Sequence, residues 1–219
     1  MNFKLVLFAS FSLLIFTQSF AQRNYDGSNF LGIQGGLSFF DIQTDDLVTQ
    51  QRQGFSAGFT TRGAFRNDFD LIYGLSFQNA SVGVEGSAVL ENDTQNIGYT
   101  IQGAQLNFLG SYNIVVKHLS IEFGPVLNIN SKMKLDNEKF EEYILTGYNA
   151  ITANDIQEIS RFNVRLAGGL TAGLEHFRLS AQYQYGLTNI LGKLNDKGLE
   201  NKNFKGNSTT IIVAGVIYF

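Results

Sequence analysis

Apolar and polar residues alternate with a period of two in eight stretches of this chain, the pattern of strands that show one face to an apolar phase. The first, about 29–40, sets Leu31, Ile33, Gly35, Leu37 and Phe39 against Gly32, Gln34, Gly36 and Ser38. The second, about 53–65, and the third, about 69–79, present Phe55, Ala57 and Phe59, then Phe69, Leu71, Tyr73, Leu75 and Phe77. The fourth, about 99–112, ends on Leu106, Phe108, Gly110 and Tyr112, and the fifth, about 119–130, alternates Ile121, Phe123, Pro125, Leu127 and Ile129 with polar or small residues. The sixth (about 161–174) and seventh (about 177–190) carry Phe162, Val164, Leu166 and Leu170, then Phe177, Leu179, Tyr183, Tyr185 and Leu187. The eighth reads TTIIVAGVIYF, from Thr209 to Phe219. Each matches or exceeds the roughly 9–11 residues a tilted strand needs to cross a bilayer.

The connections alternate in length. Brief ones follow strands two, four and six: Arg66-Asn67-Asp68, the 113–118 stretch and Glu175-His176. Long polar ones, about 41–52, 80–98, 131–160 and 191–208, follow the odd strands. Short periplasmic turns with long extracellular loops are the layout of outer-membrane barrels. The expected fold is therefore all-β, an eight-stranded antiparallel up-and-down transmembrane β-barrel with both termini periplasmic. A soluble barrel of lipocalin type shares the period but points its apolar face inward. A terminal apolar strand would be a hazard on an open edge, and closing the barrel removes it. Phe65, Phe69, Tyr112, Phe177 and Phe219 fall together at the short-turn end of the apolar faces, as in a membrane-interface aromatic girdle.

The N-terminus favours the membrane version. Lys4, an apolar run from Leu5 to Phe16 and the small-residue site Ser19-Phe20-Ala21 form a secretory signal, with cleavage expected after Ala21. The expected division is a signal peptide over 1–21 and a barrel domain over 22–219. Composition agrees: 20 Phe, 9 Tyr and 23 Gly stand against 1 Pro and no Cys, and Pro would delete ladder hydrogen bonds. Without Cys there are no disulfides or thiolate metal sites, and a net charge of −3 gives no support to nucleic-acid binding.

Five charged residues fall on the inward phase: Arg62, Asp70, Glu122, Arg165 and Arg178, all but Arg165 toward the periplasmic end. An eight-stranded barrel is just wide enough to be filled by side chains, and buried charge must be paired. The expectation is a structural salt-bridge network plugging the lumen, with Arg62 and Asp70 paired across the first turn and Glu122 meeting Arg62 or Arg178. Catalysis by acyl transfer needs a base beside a nucleophile. The two histidines, His118 and His176, fall in short turns with no evident Ser or carboxylate partner, so no catalytic, metal or cofactor site is assigned. The loops carry scattered carboxylates (Asp45, Asp46, Glu91, Asp93, Asp136, Glu138, Glu141, Glu142) without a calcium-loop spacing. The long third loop, about 131–160, with Asn154-Asp155 placed to cap a short helix, is the expected surface for a protein partner. Outer-membrane lipid and the barrel assembly machinery, acting through the C-terminal strand, are the other expected partners.

The segments IEFGPVLNIN at 121–130 and FNVRLAGGLTAGLEHFRLSAQYQYGLTNIL at 162–191 resemble the PorT-like outer-membrane β-barrel proteins abundant in Bacteroidota. The resemblance implies a barrel without known catalytic residues. Its namesake is tied to cargo export by the type IX secretion system, so an accessory role there is one reading. A structural or protein-interaction role and a surface ligand-binding or lipid-modifying role are the others.

Overall fold

The computed structural model describes residues 29–88 and 93–219; the expected leader, the first residues after it and Glu91 lie outside these. The described strands are β1 (Asn29–Gln43), β2 (Thr49–Arg66), β3 (Phe69–Ser87), β4 (Gln95–Val115), β5 (Leu119–Leu135), the two-residue β6 (Ile144–Leu145), β7 (Phe162–Gly173), β8 (Phe177–Asn189) and β9 (Asn207–Tyr218). All but β6 are barrel staves. The order β2-β1-β9-β8-β7-β5-β4-β3 closes through a β2–β3 ladder, and every pairing is antiparallel. Every stave thus has two hydrogen-bonded neighbours, so the sheet closes on itself around the barrel. This is the eight-stranded up-and-down barrel that the alternation predicts.

The apolar phase points outward. Leu31, Phe59, Leu75, Phe108, Phe123, Leu170, Leu179 and Ile217 are exposed, while their polar neighbours in sequence point into the lumen. Water would not tolerate such a belt, and hydrocarbon suits it. From Phe69 to Phe77 the chain makes eight rises of about 3.3 Å, which at a tilt of about 40° covers ~20 Å, close to the ~25 Å apolar band of outer-membrane barrels. At one end the staves are joined by tight turns. Asn67 (φ 51°) and Lys117 (φ 64°) take left-handed conformations there, one on a residue type that tolerates it readily.

At the other end the structure corrects the sequence reading. Much of segments 41–52 and 80–98 is strand: β1 runs on to Gln43 and β2 starts at Thr49, while β3 runs on to Ser87 and β4 starts at Gln95. The alternation continues there with its sign reversed. On β3, Phe77 and Leu75 face out and Ser76 and Gln78 face in, but beyond them Ala80, Val82 and Val84 are buried inside. On β4, Leu106 faces out, whereas Ile97, Tyr99 and Ile101 are buried. On β1 the switch falls between Phe39 and Phe40, after which Phe40 and Ile42 point inward. On β5 an irregularity between Asn130 and Met133 shifts the register, so that Met133 is buried and Lys132 exposed.

The staves are also unequal. β3 and β4 have 19 and 21 residues, whereas β7, β8 and β9 have 12, 13 and 12. The tall wall β2–β5 stands past the apolar belt, and the long segments 136–161 and 190–206 rise from the low side and fold against it. β6 extends the β3 ladder at Gly86 and Ser87, past the point where β2 begins. The inward apolar residues of the wall and Leu145, Ile151, Ile156, Ile190, Leu191, Leu194 and Phe204 from the loops form one buried cluster. That cluster closes the barrel mouth.

Candidate functional site

The lumen is filled in layers. At the short-turn end, Arg62 is 3% exposed and held by neighbours on three other staves. Its Nη1 donates to Asp70 Oδ2 at 3.0 Å and to Ser111 Oγ at 2.9 Å, and its Nη2 donates to Glu122. Asn113 Nδ2 also donates to Asp70 Oδ2, at 3.0 Å. The residues come together because the staves run antiparallel and Arg62, Asp70, Ser111 and Glu122 share one level, as the pairings Asp70↔Ser111↔Glu122 show. A charge triplet with added hydroxyl donors and acceptors is what burial of these ions requires.

Two of the five inward charges stand outside this group. Arg178 is buried, but among the described residues it has no ion pair, and its Nε and Nη1 find no protein acceptor. Arg165 lies farther up the lumen, and the single network expected from sequence does not include it. Its Nη1 donates to Gln78 Oε1 at 3.2 Å, Gln184 Oε1 at 3.3 Å and Thr210 Oγ1 at 3.2 Å, and its guanidinium lies 5.6 Å from the Phe40 ring centroid. The reason is height: Arg165 pairs with Val126 on β5, four positions above Glu122. Neutral dipoles and a ring face therefore hold this cation. Between the two layers lies a cavity of about 40 Å³ of mixed lining, with Gln34, Gln105 and Glu122 on its polar side and Ile72, Leu109 and Ile212 on its apolar side. That is room for roughly one water.

Above Arg165 the mouth is closed by the loops. Asp46 is their hub: its backbone carbonyl accepts from Tyr148 Oη at 2.7 Å, and its carboxylate accepts from Asn201 Nδ2 at 2.9 Å and the Lys205 amide at 2.7 Å. Tyr99 Oη, fully buried, donates to the Ala153 carbonyl at 2.9 Å. Glu200 accepts from the amides of Asn149 (3.0 Å) and Ala150 (3.1 Å), which hold its carboxyl below the ordinary carboxylate value. Burial pushes the Tyr148 phenol up. The expected short helix is a single 3-10 turn, Asp155–Gln157, and Asn154 makes no side-chain cap. Asp155 instead accepts from the amide and hydroxyl of Thr152.

The exposed aromatics Phe65, Phe69, Tyr112, Phe177 and Phe219 all stand on the outer surface at the short-turn end, with the Phe69 and Tyr112 rings 5.1 Å apart. His118 and His176 are at the same end. His118 Nδ1 lies 2.9 Å from the Gly173 carbonyl, and His176 packs edge-on to Phe30. Among the described residues no three His, Asp or Glu side chains converge in a way that could hold a metal. Sequence reasoning found the inward charges through their phase. It saw Asp46 only as one of the scattered loop carboxylates and missed Glu200 and Phe204, because Asp46 with Tyr148, Asn201 and Lys205, Glu200 with Asn149 and Ala150, and Phe204 with the shared core are contacts between irregular segments where no period exists to read.

Residues 6–192 match the family model described as the outer membrane protein beta-barrel domain. Among solved structures, the chain is similar to the attachment invasion locus protein Ail of Yersinia pestis, solved in complex with the heparin analogue sucrose octasulfate, at 13% identity over 88% of this chain and 99% of that one (TM-score 0.46). It is also similar to Neisserial surface protein A, at 12% identity over 86% and 97% of the two chains (TM-score 0.46). The translocator domain of the autotransporter NalP from Neisseria meningitidis is similar at 10% identity over 96% and 95% (TM-score 0.32). No curated protein matches the sequence.

Proposed function

The chain belongs to the outer membrane protein beta-barrel domain family, whose place is the outer membrane, and from that premise we propose that it is a non-enzymatic, non-conducting barrel displaying a folded cap to a protein partner. In this reading the signal at 1–21 is removed, the short turns and both termini face the periplasm, and the cap faces outward. The five aromatics at the short-turn end sit at the inner membrane interface, where bulky rings are favoured. The observation that carries the reading is the buried cluster at the mouth: loops meant only to be solvated have no need of Leu145, Ile156, Leu194 and Phe204 in one shared core. Rigid loops on a rigid scaffold are a common arrangement for recognition. The partner is expected on the outer face of segment 136–161, where Glu138, Glu141, Glu142 and Asn149 are exposed.

Photocrosslinkers placed at Glu142 and Asn149 in living cells test this. A discrete adduct from these sites and none from Asp68 is the expected result; steady open-channel currents from the purified barrel in planar bilayers would contradict it. The narrower PorT-like kinship, supported by segments 121–130 and 162–191, belongs to this proposal too. It expects type IX cargo export to fall when the gene is deleted, and unchanged export would remove that part alone.

A further inference from the structure

Three neighbouring staves, β5, β7 and β8, leave the apolar belt side by side, and each brings a cation to the same place. Lys132 sits on β5 three residues beyond Ile129, Arg161 immediately precedes Phe162 of β7, and Lys193 lies in the 3-10 segment Gly192–Asp196 that follows β8. With Glu158 and Ile159 they line a cavity of about 320 Å³. Ile129 and Phe162 are cross-strand partners, 60% and 57% exposed. The cavity therefore stands directly past the last apolar residues of the belt.

The charge there is unbalanced. Glu158 accepts from Lys132 Nζ at 2.7 Å and lies 3.9 Å from Lys197 Nζ, and Asp196 pairs with Lys193 at 2.8 Å. Arg161 has no ion pair among the described residues, and the cavity itself is lined by three cations and one carboxylate. The rim beside β1 has the opposite balance, lined by Asp41, Asp45 and Asp46 with one cation, Lys205. A free anion gains only the attraction of the cations at a site on the edge of the belt. A lipid phosphate is held at that depth by its own acyl chains, and basic pockets beside the hydrocarbon are suited to such headgroups.

We propose that Lys132, Arg161 and Lys193 form a binding site for the phosphate of an outer-leaflet glycolipid, whose acyl chains lie on Ile129 and Phe162. Glu158 holds Lys132 at the cavity. The assignment rests on the outward placement of the cap proposed above.

The test uses the full chain refolded in uncharged detergent micelles, with bis-phosphorylated lipid A, its dephosphorylated form and inorganic phosphate as probes, read by native mass spectrometry and calorimetric titration. The phosphorylated lipid is expected to bind at least about tenfold more tightly than the dephosphorylated one, and the triple variant K132Q/R161Q/K193Q to weaken it by about a hundredfold. All three side chains are exposed, so the variant should keep its heat-modifiable mobility, and the charge-retaining K132R/R161K/K193R should keep most of the affinity. Equal binding of the two lipids, or an unchanged triple variant, would overturn the site. Displacement of the lipid by millimolar inorganic phosphate would overturn the lipid as its ligand. Should the lipid bind as expected while labelling of intact cells places Glu142 inside, the outer-leaflet source fails and the anion chemistry stands.

Discussion

Arg62 is the residue on which the lumen floor depends, because its guanidinium serves Asp70 and Glu122 at once from a site almost without water. Replacing Glu122 with Ala leaves a buried cation short of a partner, a change that costs about 3–5 kcal/mol. Chemical unfolding in lipid vesicles should show that loss. Replacing Arg62, Asp70 and Glu122 together by apolar residues of similar volume should cost far less. Glu200 supplies a pH-dependent contact in the cap. Its folded pKa lies below the ordinary value of 4.5 because the Asn149 and Ala150 amides favour the anion. Its contribution is therefore present above that value and lost as pH falls through the lower folded one. Protection of the Ala150 amide in hydrogen exchange, measured against the unstructured rate at each pH, should be present at pH 7 and lost as pH falls through the folded value, and Glu200→Gln should lack it at both. At this scale the phase of the strands made Arg62, Asp70 and Glu122 legible as inward charges. Arg165's place apart from them was legible too, from its position farther along its strand; its partners were not, because Gln78, Gln184 and Thr210 come from three other staves.

Among the elements, β3 and β4 set the character of the molecule. Each changes the sign of its alternation partway: apolar outside through Phe77 and Leu106, apolar inside from Ala80 and Ile101 onward. A search for an apolar outer face therefore stops at the membrane edge and takes the rest for loop, which is why the strands read short and the loops long. The reversal itself marks where lipid gives way to water. The extended wall and the loops share one core, so Phe204→Ala should remove about 3–5 kcal/mol of packing from the cap while leaving the lipid-embedded ladders alone. Limited trypsin digestion is expected to open new cuts at Lys139, Lys197 and Lys202, with the heat-modifiable shift of the barrel preserved. At the β1–β9 seam, a side chain on Gly36 would collide with the Val213 carbonyl and with Ala214. Gly36→Val should therefore lower the folded yield of the whole barrel, in contrast to Phe204→Ala.

As a whole, the molecule is a barrel sealed by three fillings: an ion cluster at the floor, an arginine held by amides and a hydroxyl above it, and a hydrophobic core at the mouth. The closed sheet and its lipid belt were readable in the sequence because period-two alternation is a local signal repeated eight times. The sealed mouth was not, since it arises from contacts between Leu47, Phe204 and residues of 145–159 that no local pattern links. The central claim is that this sealed barrel lies in the outer membrane with its cap facing out. The chain has no native Cys, so single cysteines at Glu142 in the cap and Asp68 in the first short turn report sidedness without background. Intact cells treated with a membrane-impermeant maleimide should label Glu142→Cys and spare Asp68→Cys until the outer membrane is opened. Labelling of Asp68→Cys alone, or of neither position even after lysis of the outer membrane, would contradict the account.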